Sequence, residues 1–265
     1  KKPVAKVLAI ANQKGGVGKT TTSVNLAASL KFTRKNVLLI DLDPQGNATM
    51  GSGVDKSSLE TSIYDVLMQY AEFDEVVQRP EASGYDLLPA NGDLVAAEVE
   101  LINEDNRELR LRQIIEQVRH RYDYIVIDCP PSLNMLTINA MVAADGVVIP
   151  MQCEYYALEG LSALMDTINA IRDSLNPDLK IEGIVRTMYD PRNKLTSEVN
   201  GQLISFFGDA VYRTVVPRNV RLAEAPSYGK PVLNYDKQSR GAIAYLALAG
   251  EVLRRNDEAA ARAAV

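Results

Sequence analysis

Sulfur is scarce in this chain, whose 265 residues include only two cysteines, Cys129 and Cys153. Two thiols cannot build a disulfide framework, and one chain's pair cannot complete a four-thiolate metal site. A reducing, cytosolic compartment is the simplest expectation. Long apolar runs are missing too, since nothing reaches the roughly 18 residues that a membrane-crossing helix needs. The opening Lys1-Lys2-Pro3-Val4-Ala5-Lys6 leads into a short β-type run, without a signal peptide's apolar segment or cleavage site. Histidine occurs once, as His120, at the end of an expected helix, where it reads as a surface residue without a catalytic role. No proline- or serine-rich linker divides the chain and no internal repeat is found. One domain over 1–256 is expected, with a frayed tail at 257–265.

What is present is ordinary for a globular protein: 46% apolar and 24% charged residues. A chain of this length can bury about three quarters of its unfolded surface, enough for a core without staples. The net charge of −5 is unevenly spread. Residues 1–180 hold 17 basic and 25 acidic groups, whereas residues 181–265 hold 12 and 9. Overall acidity argues against general nucleic-acid affinity, yet leaves room for a basic face in the last third.

Short apolar runs alternate with amphipathic stretches, the pattern of β–α–β units. Strands are expected at Val4–Ala11, Val37–Ile40, Tyr85–Pro89, Tyr124–Ile127, Gly146–Pro150, Ile181–Thr187 and Val211–Val216. Helices are expected at Thr20–Lys31, Ser62–Tyr70, Leu94–Ile102, Leu109–His120, Ala157–Leu175 and Ala242–Arg255, and residues 42–58 read as loop. Strands apolar throughout belong in a sheet covered on both faces. The expected fold is therefore α/β: a doubly wound, mostly parallel sheet with helices on both sides.

The strongest motif is Lys14-Gly15-Gly16-Val17-Gly18-Lys19-Thr20-Thr21, placed between the first strand and the first helix. A general phosphate loop has Gly, four residues, then Gly-Lys-[Ser/Thr]; here Gln13 takes the first glycine's place and a lysine stands just inside. Glycines let backbone N–H groups curl round phosphates, and the following helix points its positive end at them. Lys19 suits the β- and γ-phosphate oxygens and the Thr20 hydroxyl suits Mg²⁺. Asp128 ends an apolar strand where a carboxylate would reach Mg²⁺ through water, and Asp41 and Asp43 end another. Ligands of open α/β sheets bind beyond the carboxyl ends of the strands, so these groups converge on one crevice.

That loop resembles the deviant phosphate loop of the ParA/MinD ATPases. Asp41-Leu42-Asp43-Pro44-Gln45-Gly46-Asn47, Asp128-Cys129-Pro130-Pro131, Val216-Pro217-Arg218-Asn219 and Glu224-Ala225-Pro226-Ser227-Tyr228-Gly229-Lys230-Pro231 resemble the ParA/Soj partition branch. The resemblance implies a Mg²⁺-dependent ATPase in which two subunits sandwich two ATP molecules, with Lys14 reaching the partner's nucleotide. It implies that Asp43 positions the attacking water, with a possible further part in holding Mg²⁺. It also implies that Met188, Pro217 and Asn219 edge an adenine pocket. Met188 as core filler and Pro217 as strand end remain open, as does a structural role for Asp41. Glu154 reads better as a solvated loop carboxylate than as a contact to the partner's nucleotide.

The resemblance further implies an ATP-bound homodimer on double-stranded DNA without sequence preference, released when a ParB-type centromere-binding protein stimulates hydrolysis. Arg192, Arg218, Arg221, Lys230 and Arg240 are the candidate DNA contacts. A cytoplasmic, nucleoid-associated protein is then expected. With the loop at residue 14, no N-terminal helix-turn-helix domain is expected. Three alternatives share the loop. A MinD-type membrane-associated regulator needs a bulky apolar C-terminal helix, but this tail offers alanines and a lone Val265. An iron–sulfur redox ATPase needs suitably placed cysteines, and a metabolic amide- or cofactor-forming ATPase lacks a distinct substrate motif here.

Overall fold

Seven strands alternate with helices along the chain. In the computed structural model, which describes residues 4–16 and 18–265, they are β1 (Lys6–Ile10), β2 (Val37–Asp41), β3 (Asp86–Leu88), β4 (Tyr124–Asp128), β5 (Gly146–Met151), β6 (Lys180–Tyr189) and β7 (Val211–Pro217). They form one sheet in the order β3-β2-β4-β1-β5-β6-β7, and each neighbouring pair is parallel. Parallel neighbours need long crossovers, and helices supply them. α1 (Lys19–Phe32) joins β1 to β2, while α2 (Asn47–Gly51), α3 (Ile63–Leu67) and α4 (Phe73–Val76) precede β3. α5 (Leu94–Glu100) and α6 (Arg110–Val118) lead to β4, followed by α7 (Met135–Ala143), α8 (Ala157–Ser174) and α9 (Lys194–Phe207) between the later strands. α10 (Val220–Glu224), α11 (Val232–Tyr235) and α12 (Arg240–Ala263) close the chain.

Alternation along the strands sorts side chains to the two faces. Val7, Ala9, Leu38 and Ile40 join a core with α3 through α9. Leu8, Ile10 and Leu39 join a second core with α1 and α12. Both faces being covered, β2 and β4 are buried at every position, which is why they read as unbroken apolar runs.

The expected doubly wound sheet is present, with differences in detail. The 42–58 segment is not all loop: it contains α2 and a 3₁₀ turn at Lys56–Ser58, because Thr49 of α2 is tied to Asp41. α7 and α9 have no counterpart among the sequence expectations. α7 is buried almost all round, so it lacks the polar face that marks an amphipathic helix. The last helix passes Arg255 and stays helical to Ala263, through most of the segment expected to fray. Its alanines are the strongest helix formers, although the side chains there are mostly exposed.

Candidate nucleotide site

The loop after β1 is anchored at its start by Asn12. Its amide donates to the Pro150 carbonyl at 2.7 Å, and its Oδ1 accepts from the Lys14 backbone N–H at 3.0 Å. Gly16 and Gly18 have φ of +72° and +79°, the left-handed region that glycine enters without strain. A Cβ on Gly15 or Gly16 would meet nothing within 4 Å, so the loop borders open space. Gly18 precedes α1 without a side-chain cap, which leaves the first-turn N–H groups for a ligand. Lys19 is only 8% exposed and forms no ion pair among the described residues. The Asp128 carboxylate is near enough to feel its charge, and a polyanion in the loop would further offset the cost of burying the ammonium. Val17 lies outside the described residues.

The carboxylates stand beside it. Asp128 is fully buried, its Oδ2 accepting from Thr20 Oγ1 at 2.9 Å and its Oδ1 from Ser23 Oγ at 2.8 Å. Burial lifts its pKa to about 6, against the pull of the Ser23 hydroxyl and the Lys19 charge. Asp41, paired with Asp128 in strand register, accepts from the Thr49 N–H (2.9 Å), Thr49 Oγ1 (2.7 Å) and the Asp43 N–H (3.1 Å). Burial and the neighbouring Asp128 charge raise it to about 7. With all its contacts inside the turn, Asp41 shapes the chain that carries Asp43. Asp43 in turn accepts from the Gln45 N–H at 3.0 Å and remains 7% exposed.

Among the described residues no group of three or more His, Cys, Asp or Glu side chains could hold a metal ion. Mg²⁺ keeps most of its shell as water and phosphate oxygen and takes few protein ligands. Thr20 and Asp128, already in contact, are the pair that fits it. Thr21 follows on α1, half-buried.

Lys14 is exposed and pairs with Glu154 of the same chain. Met188 and Pro217 stand at the adjacent ends of β6 and β7, where Tyr189 pairs with Pro217. Both are half-buried, and Met188 has a φ of +49°. Thr187 beside it lies 3.5 Å from where a Cβ of Gly18 would sit, which brings this corner against the phosphate loop. Asn219 caps α10, its Oδ1 accepting from the Leu222 N–H at 3.3 Å, so its amide donors remain for a ligand.

An AAA domain family matches residues 5–181. The sporulation initiation inhibitor protein Soj of Bacillus subtilis is 53% identical over 94% of this chain and 98% of its own length. The chromosome partitioning protein ParA of Caulobacter vibrioides is 52% identical over 98% of both. The chain belongs to the Soj/ParA family. A solved cobyrinic acid a,c-diamide synthase of Mycobacterium smegmatis, with bound ATP analogue and magnesium, superposes with a TM-score of 0.85 at 37% identity over 96% of each chain. ATP and Mg²⁺ are the cofactors of this phosphate-loop family.

In this Soj/ParA-family chain the five basic candidates of the last third are all exposed. Arg192 is held by Asp190 at 3.0 Å, and Arg221 by Glu224 at 2.8 Å and Asp236 at 3.2 Å. Arg218, Lys230 and Arg240 form no ion pair among the described residues. Ser23, Asn12 and Thr49 escape the sequence motifs. Ser23 lies one turn beyond Lys19 on the same helix face, the spacing that could have flagged it. Asn12 acts through Pro150, 138 residues away, and Thr49 through Asp41, eight residues back, and neither contact left a recognisable motif.

Proposed function

We propose that residues 1–256 form a Mg²⁺-dependent ATPase that pairs with a second copy on binding ATP. The dimer binds double-stranded DNA without sequence preference and releases it on hydrolysis stimulated by a ParB-type partner. The chain would thus serve DNA partition as a cytoplasmic, nucleoid-associated protein. The observation that carries the reading is the near end-to-end match to Soj and ParA, at higher identity than the synthase neighbour.

The roles follow from the site. Lys19 takes charge from the β- and γ-phosphates, with Gly15, Gly16, Val17, Gly18 and Thr21 of the loop around them. Thr20 and, through water, Asp128 hold Mg²⁺, which offsets developing phosphate charge. Asp43 orients the attacking water, kept in place by the Asp41 turn, and adds its charge near the metal. Lys14 leaves Glu154 to reach the partner's nucleotide, adding a second cation as the transition state forms. Met188, Pro217 and Asn219 receive the base.

Two alternatives find less support. Cys129 and Cys153 are both buried, poorly placed to meet thiolates of a second subunit in a shared cluster. Burial also pushes the Cys153 thiol up to about 11. No described helix is long and apolar enough to cross a membrane, and the end of α12 has no bulky apolar face for lying on one. The test is binding to non-specific duplex DNA with ATP, with ADP and without nucleotide, across a salt series. Binding with ATP alone, weakening with salt and lost in Lys19→Ala, is expected. Equal binding in all three states would falsify the nucleotide gate, and vesicle binding instead would favour the membrane-associated branch.

A further inference from the structure

The described residues include three buried side-chain polar atoms without a hydrogen-bond partner: Glu182 Oε2, Arg186 Nε and Tyr212 Oη. All three residues line one cavity of about 720 Å³. It lies where β6 and β7 begin, so it is at the opposite end of the parallel sheet from the phosphate loop. The second half of α12 forms one wall, down to Arg262 in the segment expected to fray. Unpaired buried polar groups are rare, and these three atoms lie just beneath the cavity wall, closed off from solvent.

Their surroundings hold these atoms in place. Arg186 spends Nη1 on Asn200 Oδ1 (2.9 Å) and Nη2 on the carbonyls of Tyr212 (2.7 Å) and Arg213 (3.2 Å), leaving Nε–H. The Tyr212 ring is pressed between Gly183, where a Cβ would come within 2.3 Å, and the Arg255 guanidinium 4.3 Å from its centroid. Its hydroxyl therefore cannot swing away to find a partner. Glu182 meets Lys6 Nζ at 3.4 Å, an ion pair without a hydrogen bond to Oε2.

Charge decides the ligand class. Lys180, Arg213, Arg254 and Arg262 line the cavity, are exposed and form no ion pair among the described residues. The Glu251 carboxylate on the same wall is already committed to the N–H groups of Arg213 (2.8 Å) and Thr214 (2.9 Å) and to Arg255 (3.2 Å). Asp209 and Glu258 remain at the rim as acceptors suited to hydroxyl groups. We propose that this cavity binds a phosphorylated, hydroxyl-bearing small molecule, separate from the nucleotide at the phosphate loop. The four exposed, unpaired cations would take its phosphate oxygens through charge-assisted hydrogen bonds. The size lies within the roughly 300–1,000 Å³ of small-molecule sites.

Inorganic pyrophosphate is the probe, titrated by calorimetry into the full chain carrying Lys19→Ala so that the loop site is disabled. One saturable site is expected, weakened at least about tenfold when Arg213→Glu and Arg254→Glu are added together. Both arginines are exposed, so these substitutions spare the fold, whereas replacing buried Arg186 endangers it. No saturable binding, or binding indifferent to the two substitutions, overturns the proposal. The same pair placed in the wild-type chain should leave ATP affinity unchanged. If the wild-type chain itself binds no ATP, it is the ATPase reading that fails, whatever happens at this cavity.

Discussion

Two lysines of one loop meet opposite electrostatic fates. Lys19 is buried near the Asp128 charge and forms no direct ion pair among the described residues, whereas Lys14 is exposed and paired with Glu154. An exposed ion pair is worth only about 0–1 kcal/mol, so it holds Lys14 at rest without preventing its departure. Glu154→Gln should therefore leave ATP affinity within about twofold. Lys14→Ala should keep ATP binding and lose most phosphate release, and wild-type turnover in that variant would sink the cross-subunit role. The acids carry a pH signature of their own. Asp41 and Asp128 hold their protons to about pH 7 and about pH 6 in the folded state, above the 3.8 of a free aspartate. The native state thus binds more protons than the unfolded chain across that window, and stability falls as pH rises through it. In nucleotide-free, metal-free buffer the melting temperature should drop between about pH 4 and pH 7. The drop should be smaller in Asp128→Asn, and equal slopes in the two proteins would refute the burial argument.

At the scale of elements, legibility tracked how a segment is buried. β2 and β4 are covered on both faces and end in Asp41 and Asp128, so an apolar run closed by an acid marked both strand and site. α7 is buried nearly all round and so lacks the stripe that reveals a helix, whereas α9 carries one, with Leu195, Val199, Leu203 and Phe207 at four-residue spacing. α2 exists because Thr49 bonds back to Asp41, a contact that no local pattern encodes. Lys19 and Thr20 were legible because a ligand-binding loop writes its chemistry contiguously. Glu154 lies 140 residues from the lysine it pairs with and was not. Gly183 in β6 has a similarly hidden reason, since its missing side chain is the seat of the Tyr212 ring. Gly183→Ala should cost about 1–3 kcal/mol by overpacking, read from the urea midpoint. Nucleotide affinity should persist, because the strain lies at the far end of the sheet. Unchanged stability would mean that the ring is free to move off the strand.

For the whole molecule, the proposed function poses the electrostatic problem of how a chain of net charge −5 would hold DNA. The basic surplus is confined to residues 181–265, and within it Asp190 and Glu224 already engage Arg192 and Arg221. Of the five candidate contacts Arg218, Lys230 and Arg240 remain unpaired, too few in one copy for firm binding against a negative background. A two-fold dimer doubles every contact, so under the proposed function a nucleotide that brings two copies together would also create the DNA surface. Arg218→Glu tests that logic, because one substitution then deletes two phosphate contacts per dimer. The slope of log affinity against log salt should become shallower by about 2, since each contact contributes about 0.9. ATP-dependent dimerisation, followed by size-exclusion chromatography, should be unaffected. A slope shallower by only about 1 would show a single copy on DNA. Loss of the dimer itself would place Arg218 in the interface between copies, and the DNA surface would then have to be built from Lys230 and Arg240.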